Sequence, residues 1–383
     1  MPWSGTVQEQ RMEFIRQLVA AGANRREVCR AWCVSPKTAY KWLARYESLG
    51  AGGLGDESRR PKQSPRHTAA EMEARVLGIR AAQPAWGARK IAALLHRQEV
   101  AEAPALSTIT QILRRNGCLV KDRPRPVSVG SFERERPNEM WQMDFKGHFP
   151  LRDGTRCHPL LLIDDHSRYC LAARACHDQR GETVRAELEG VFREYGLPES
   201  MLMDNGSPWG NDWVHVYTPF VTWLIRLDIR VLHGRPRHPQ TQGKLERTNR
   251  TLDDEFLKAH PEGFESHAHI QPGLDGWRWT YSHERPHEAL GMQVPASRYQ
   301  TSARRMPASL PPIGYGPEDI VRKVQDGGRI TYGGREWRLP KAFRGQPVAL
   351  RPTEVDGEIA AYFCQQRIAV LDLKSATVRI VRH

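Results

Sequence analysis

EMWQMDFKGHF, residues 139–149, is a short aromatic-rich stretch with the rough alternation of a strand. Within it an acid, Asp144, stands between Met143 and Phe145. A carboxylate in a strand that otherwise reads as core is costly unless it is paired or holds a cation. Outward from this strand the pattern is α/β. CHPLLLIDDHS (157–167) and RYCLAARACH (168–177) read as further strands. TVRAELEGVFREYG (183–196) reads as an amphipathic helix with Val184, Leu188, Val191 and Phe192 on one face. ESMLMDNGS (199–207) is an apolar strand that ends in an acid and a turn. YTPFVTWLIRLDI (217–229) then reads as helix, IRVLHGR (229–235) as strand, and residues 242–258 as a longer helix. Three strands followed by alternating helix and strand predict an α/β domain with a mixed sheet.

Two further acids stand out. Asp204 lies where an apolar strand ends at Asn205-Gly206, the place where α/β sheets present functional groups. In RPRHPQTQGKLERTNRTL (235–252), Glu246 is the one acid among Arg235, Arg237, Lys244, Arg247 and Arg250. On a helix, Gln242, Glu246, Asn249, Arg250 and Asp253 share a polar face, and Leu245, Leu252 and Phe256 turn elsewhere. Each acid alone has a plain reading: a strand-end carboxylate, a turn aspartate, a solvated helix glutamate. Together, Asp144, Asp204 and Glu246 have the oxygen donors to hold two Mg²⁺ ions about 3.5–4 Å apart. Asp164 and Asp165 read as a strand end and a cap of the turn into Ser167, with Asp165 a distant fourth candidate.

The chain has 383 residues, room for two to four domains. No run of 18 apolar residues occurs and the N-terminus lacks an apolar h-region, so a soluble, unsecreted protein with no membrane partner is expected. Seven cysteines without a C-x-x-C pair predict reduced thiols, and Cys29 and Cys33 read as thiols rather than a zinc site. Charge is uneven along the chain. Residues 1–136 carry 24 Lys+Arg against 13 Asp+Glu, residues 137–300 carry 19 against 23, and residues 301–383 carry 14 against 8. Basic ends around an acidic middle suggest polyanion-binding modules flanking a domain that keeps its carboxylates for another task.

The basic front reads as all-α. In residues 24–50, Asn24 caps a helix whose apolar face includes Val28, Ala31 and Trp32. Ser35 and Pro36 start a second helix, with Ala39, Trp42 and Leu43 inward. Lys37, Thr38, Tyr40 and Lys41 are left at its exposed start, where a recognition helix of a helix-turn-helix meets DNA; a plain helical hairpin shows the same periodicity. Residues 71–83, 86–98 and 107–117 read as three helices of a second such unit, with Ser107 capping the last, Gly117 ending it and Trp86 packed inside. The predicted domains are a helix-turn-helix domain at 1–50, a basic linker at 51–68 and a second helix-turn-helix at 69–120. A linker at 121–138, the α/β core at 139–300, a linker at 301–318 and a small β-barrel at 319–383 complete the chain. Arg59 and Arg60 in the first linker are candidates for a minor-groove arm, with a solvated linker as the default. Lys244 and Arg247 are candidates for phosphate contacts, with simple solvation as the equal alternative.

Taken together these motifs carry a resemblance. Asp144 in WQMDF, Asp204 in MDNGSPWG and Glu246 in HPQTQGKLERTNRTL resemble the three acids of bacterial insertion-sequence transposases of the DDE, retroviral-integrase-like superfamily. LLIDDHSRY, HERPHEALGMQVPA (283–296), SPKTAYKWLARY, SRRP and PAWGARKIAALL are similar to that group's pattern, so the resemblance covers nearly the whole chain. One departure is visible. The acid spacing is longer than in many relatives, with 41 residues between Asp204 and Glu246; Gln240 occupies the shorter spacing, and Glu255 is a weaker alternative. The resemblance implies an RNase H-like catalytic core with Asp144, Asp204 and Glu246 as metal ligands, an SH3-like barrel, and two Mg²⁺ ions replaceable by Mn²⁺. It implies a transposase that binds its element's terminal repeats, cleaves at the element ends and joins the 3′-hydroxyl to target DNA. It further implies double-stranded DNA as partner, a homodimer or higher assembly, and a cytoplasmic, nucleoid-associated location. A DNA-binding regulator with an inactive core, or an RNase H-like nuclease without strand transfer, are the alternatives.

Overall fold

The computed structural model describes residues 6–57, 68–119, 133–204, 206–210, 217–234 and 243–381. The chain divides into two compact units, residues 1–67 and 68–383.

The first unit has three helices, α1 (Val7–Val19), α2 (Arg25–Ala31) and α3 (Pro36–Leu49). Asn24 and Ser35 cap α2 and α3 through their side-chain oxygens, and Pro36 opens α3. Helix α1, not foreseen from sequence, starts at a capping box between Thr6 and Glu9. It supplies Phe14, Ile15 and Leu18 to cover Trp42 and Leu43, which a pair of helices would leave wet. One expected inward residue is corrected: Ala31 is exposed, and Cys29 takes the buried position on α2. The turn between α2 and α3 is closed by Cys33 at φ +52 and by the Val34 N–H donating to the Cys29 carbonyl at 2.9 Å.

The second unit begins with α4 (Ala70–Ala82), α5 (Ala88–Arg97) and α6 (Leu106–Arg115), packed around Val76, Trp86, Ile91, Leu95, Ile109, Ile112 and Leu113. Ser107 does not cap α6: the chain enters the helix from extended backbone at Ala105, which leaves Ser107 inside the first turn. Gly117 sits at φ +68, and the Cys118 N–H donates to the Leu113 carbonyl at 2.8 Å, which closes the helix end.

The central sheet is built from β1 (Trp141–Phe145), β2 (Phe149–Pro150), β3 (Arg156–Asp164), β4 (Cys170–Cys176), β5 (Ser200–Met203) and β6 (Arg230–His233). The order is β4-β3-β1-β5-β6, with β2 on the start of β3; β1 and β4 run antiparallel to β3, and β5 is parallel to both β1 and β6. Alternation along the strands splits the core. Trp141, Met143, Leu160 and Leu162 join the cluster of α7 (Gly181–Tyr195) and α8 (Pro219–Arg226). Leu161, Ile163, Cys170 and Ala173 join the cluster of α9 (Gly243–Glu255) and α10 (His267–Trp279). Because Trp141 and Met143 face α7 and α8, Gln142 and Asp144 face the α9 side.

At the C-terminal end, β7 (Ile320–Lys323), β10 (Pro347–Pro352), β11 (Glu358–Phe363), β12 (Gln366–Asp372) and β13 (Thr377–Ile380) form an all-antiparallel sheet in the order β13-β12-β11-β10-β7. The pair β8 (Arg329–Tyr332) and β9 (Arg335–Arg338) forms a separate ladder. This sheet packs on the core: the Tyr217 hydroxyl donates to the Val381 carbonyl at 2.8 Å, and the Phe343 ring lies 5.0 Å from that of Tyr217. Among the described residues, no helix is long and apolar enough to cross a membrane.

Candidate active site

Strands β1 and β5 are neighbours and parallel, with Gln142 opposite Leu202. Carried two residues further, that register sets Asp144 opposite Asp204, at the ends where parallel strands present functional groups. Asp204 is held from two sides. Its carboxylate accepts the Gly206 N–H at 3.0 Å, and its carbonyl accepts the His233 Nδ1–H of β6 at 2.9 Å. Glu246 lies in the first turn of α9 and is exposed. The residues that α9 buries are Leu245, Thr248, Thr251 and Leu252. One turn along, Asn249 donates its Nδ2–H to Asp144 Oδ2 at 3.3 Å.

The electrostatics follow from this crowding. Burial first, and then the charge of Asp204, push the Asp144 carboxyl up to about 7, with Glu246 adding in the same direction. Burial also raises Asp204, against the pull of the Gly206 N–H and of His233. Among the described residues, no three His, Cys, Asp or Glu side chains are arranged to hold a metal ion as they stand. The donor set nonetheless fits one: two half-buried carboxylates that resist ionising next to each other, with a third on the facing helix, are relieved by a hard divalent cation. Residues 205 and 235–242, with His238, Gln240 and Gln242 among them, lie outside the described residues.

Several neighbours of the acids take roles other than those expected of them, and Gln142 and His233 were not singled out in sequence. Asp165 is fully buried, and its carboxylate accepts Gln142 Nε2–H at 2.6 Å, Lys244 Nζ at 2.6 Å and the Arg134 N–H at 2.9 Å. Lys244, read as a phosphate contact, is therefore turned into the core, where burial holds its ammonium below the ordinary lysine value. Asp164 serves the turn, as expected: its carboxylate accepts the Ser167 N–H at 2.7 Å and the Asn138 N–H at 2.7 Å. Glu255 is not free to serve as a ligand, because it accepts Arg285 at 2.8 Å and Lys90 at 3.3 Å at the far end of α9. Asp253 pairs with Lys146 at 2.6 Å. The doubled acid after an apolar strand was the one sequence signal for Asp165; nothing local pointed to Gln142 or His233.

Of the expected DNA contacts, Lys37, Thr38, Tyr40 and Lys41 are exposed along the start of α3. Thr38 also belongs to the cap, with its hydroxyl 2.8 Å from Ser35 Oγ. Arg247 is exposed on α9. Arg59 and Arg60 lie outside the described residues.

Comparison with known families covers most of the chain in pieces. The C-terminal domain of IS481-family transposases matches residues 319–379, and two integrase core domain models match 134–239 and 227–295. A homeodomain-like domain matches residues 38–113 and a helix-turn-helix domain residues 10–62. The uncharacterised 31.7 kDa protein of insertion element IS407 from Burkholderia multivorans is 25% identical over 238 residues, which is 61% of this chain and 82% of that protein. The transposase for insertion sequence element IS21 of Pseudomonas aeruginosa is 27% identical over 144 residues, 37% of this chain and 36% of its own length. The Gag-Pol polyprotein of feline leukemia virus is 29% identical over 123 residues, 32% of this chain and 7% of the polyprotein. Among solved structures, a chain of the simian T-cell lymphotropic virus intasome bound to PP2A regulatory subunit B56 gamma is 18% identical. It covers 72% of this chain and 98% of its own, with a TM-score of 0.39. The HTLV-2 integrase catalytic core in complex with magnesium is 16% identical, covers 43% of this chain and 99% of its own, and has a TM-score of 0.35. With an integrase core between helix-turn-helix domains and an IS481-type C-terminal domain, the chain is a member of the bacterial insertion-sequence transposases of the DDE, retroviral-integrase-like superfamily.

Proposed function

We propose that this transposase cleaves DNA at the ends of its own element and joins the freed 3′-hydroxyl to a phosphodiester of target DNA, with Asp144, Asp204 and Glu246 as the catalytic acids. The observation that carries the reading is the meeting of Asp144 and Asp204 on adjacent parallel strand ends, under a helix that presents Glu246. In-line phosphoryl transfer needs little covalent chemistry from a protein; positioning and charge supply most of the rate. Asp144, Asp204 and Glu246 would hold two divalent cations, which when bound would supply activation of the attacking oxygen and compensation of charge at the leaving one. Asp144 and Asp204 bring rigid oxygen donors from the sheet, and Asn249 orients Asp144. Glu246 brings the third donor from a helix whose exposed Arg247 and Arg250 face a polyanion. The exposed start of α3, with Lys37, Thr38, Tyr40 and Lys41, supports recognition of terminal-repeat DNA. The family resemblance, with two element ends to bring together, implies a homodimer or higher assembly on DNA.

The test uses labelled DNA from the flanks of the protein's own gene, incubated with the purified full chain, Mg²⁺ or Mn²⁺ and a plasmid target. The wild type is expected to give cleaved ends and end–plasmid joints. Glu246→Gln should give neither, while it still retards the labelled end in a gel. Binding without product by the wild type would identify a regulator, cleavage without joining a nuclease, and full activity of Glu246→Gln would remove Glu246 from the site.

A further inference from the structure

Asp165 connects the two elements that carry the first and third acids. Through Gln142 it grips β1 two residues before Asp144, and through Lys244 it grips α9 two residues before Glu246. Its side chain is fully buried, and the ion pair with Lys244 is 2.6 Å long with the lysine side chain 14% exposed. Oδ1 carries the Gln142 amide, and Oδ2 carries Lys244 and the Arg134 N–H. The Asp165 carbonyl also accepts Lys244, at 3.2 Å. A carboxylate so surrounded by donors is not a metal ligand. It is a fixed point in the turn that ends β3, from which the start of α9 is hung, directly after residues 235–242. Helix positions two apart point to different sides, so fixing Lys244 inward sets the rotation of α9 and leaves Glu246 on the side from which its charge acts on Asp144.

We infer that Asp165 is a positioning residue, which sets Glu246 against Asp144 by holding Lys244 and Gln142 on one buried carboxylate. The inference rests on the three-acid reading above. A buried lysine stripped of its partner either leaves its site or drags the helix with it, because an unpaired buried ammonium is poorly tolerated. Misplacement by about 1 Å is enough to lose on the order of a hundredfold in rate.

The experiment compares full-length wild type, Asp165→Asn, the double variant Asp165→Asn/Lys244→Gln, and Glu246→Gln. Asparagine keeps the shape and accepts from Gln142, but removes the charge that Lys244 needs. Mn²⁺ binding is read directly by electron paramagnetic resonance, alongside Mg²⁺-dependent cleavage and DNA affinity. Asp165→Asn should weaken Mn²⁺ binding tenfold or more and lose cleavage in parallel, with DNA affinity within twofold of wild type. The double variant, with a neutral amide pair in place of the ion pair, should recover most of the Mn²⁺ binding; a merely structural defect would only deepen, and a true ligand could not be rescued at Lys244. Wild-type Mn²⁺ binding by Asp165→Asn, with Glu246→Gln weakened, overturns the positioning role alone. Failure of the double variant to recover also overturns it, since the effect then does not run through Lys244. Wild-type Mn²⁺ binding by Glu246→Gln overturns the three-acid reading itself.

Discussion

Replacing Glu255 by glutamine should loosen the join between α5 and α9, and the contacts set the size of the effect. Glu255 has a side chain only 5% exposed and faces Lys90 and Arg285, which are 15% and 13% exposed. It stands at the C-terminal end of α9, where a carboxylate is opposed by the helix dipole and depends on such cations. Breaking a buried pair by removing one partner costs about 3–5 kcal/mol, chiefly from the charge left behind. Two features pull the expectation to the lower end. Lys90 is already held down to about 8 by burial and by Arg285, so without Glu255 it can shed its proton, which limits its share at pH 7 to about 1.4 kcal/mol. Arg285 has no such escape, but it also lies 5.6 Å over the Tyr281 ring. A loss of about 3 kcal/mol lowers the melting temperature of a body this large by roughly 6 °C.

The assay is calorimetry of the full chain, with Asp254→Asn as control. That residue's pair with Lys258 is solvent-exposed, and its loss should move stability by less than about 0.5 kcal/mol. The Glu255→Gln deficit should also grow between pH 8 and pH 6, because deprotonating Lys90 becomes harder as protons become plentiful. A melting temperature within 1 °C of wild type at pH 6 would refute the buried-pair argument. So would a deficit that shrinks on acidification.

Three further perturbations have worked signs. His287 is buried, donates its Nε2–H to the Tyr281 carbonyl at 3.3 Å, and is pushed down to about 2, first by burial and then by Arg285. Its folded value lies below the unfolded one near 6.5, so the stability present above pH 6.5 is lost as pH falls toward 2. Asp144 runs in the opposite sense, so the quantity to measure is the difference in unfolding free energy between wild type and His287→Gln, which should narrow by about 2 kcal/mol between pH 6.5 and 5. Gly196 ends α7 at φ +78, and a Cβ there would lie 2.7 Å from the Arg304 carbonyl oxygen and 2.8 Å from that of Ser302. Gly196→Ala should therefore destabilise by at least about 1–3 kcal/mol in chemical denaturation. Lys41→Ala on the exposed face of α3 should weaken DNA binding evenly across sequences and reduce the slope of log affinity against log salt by about 1, measured by fluorescence anisotropy.

What the sequence by itself determined was local. The alternation in WQMDF and the apolar run of LLLID placed β1 and β3, and the oxygen caps Asn24 and Ser35 with Pro36 placed α2 and α3, since both signals act between residues a few positions apart. The three acids proposed for the site stood out because each breaks its own pattern: a charge in a core strand, an acid at a strand end, an acid in a basic helix. Start points that lack a side-chain signal were not legible, which is why Ser107 was read as a cap of a helix that begins without one. Tertiary structure decided the rest. That β1 pairs β5 in parallel, and so sets Asp144 opposite Asp204, depends on strand order across some sixty residues of chain. That Lys244 turns inward while Arg247 stays exposed follows from where the turn after β3 buries Asp165, since a lone lysine reads the same in sequence whether it meets a phosphate or a buried carboxylate. Charges acquire their role from burial and partners, and only the packed chain supplies either.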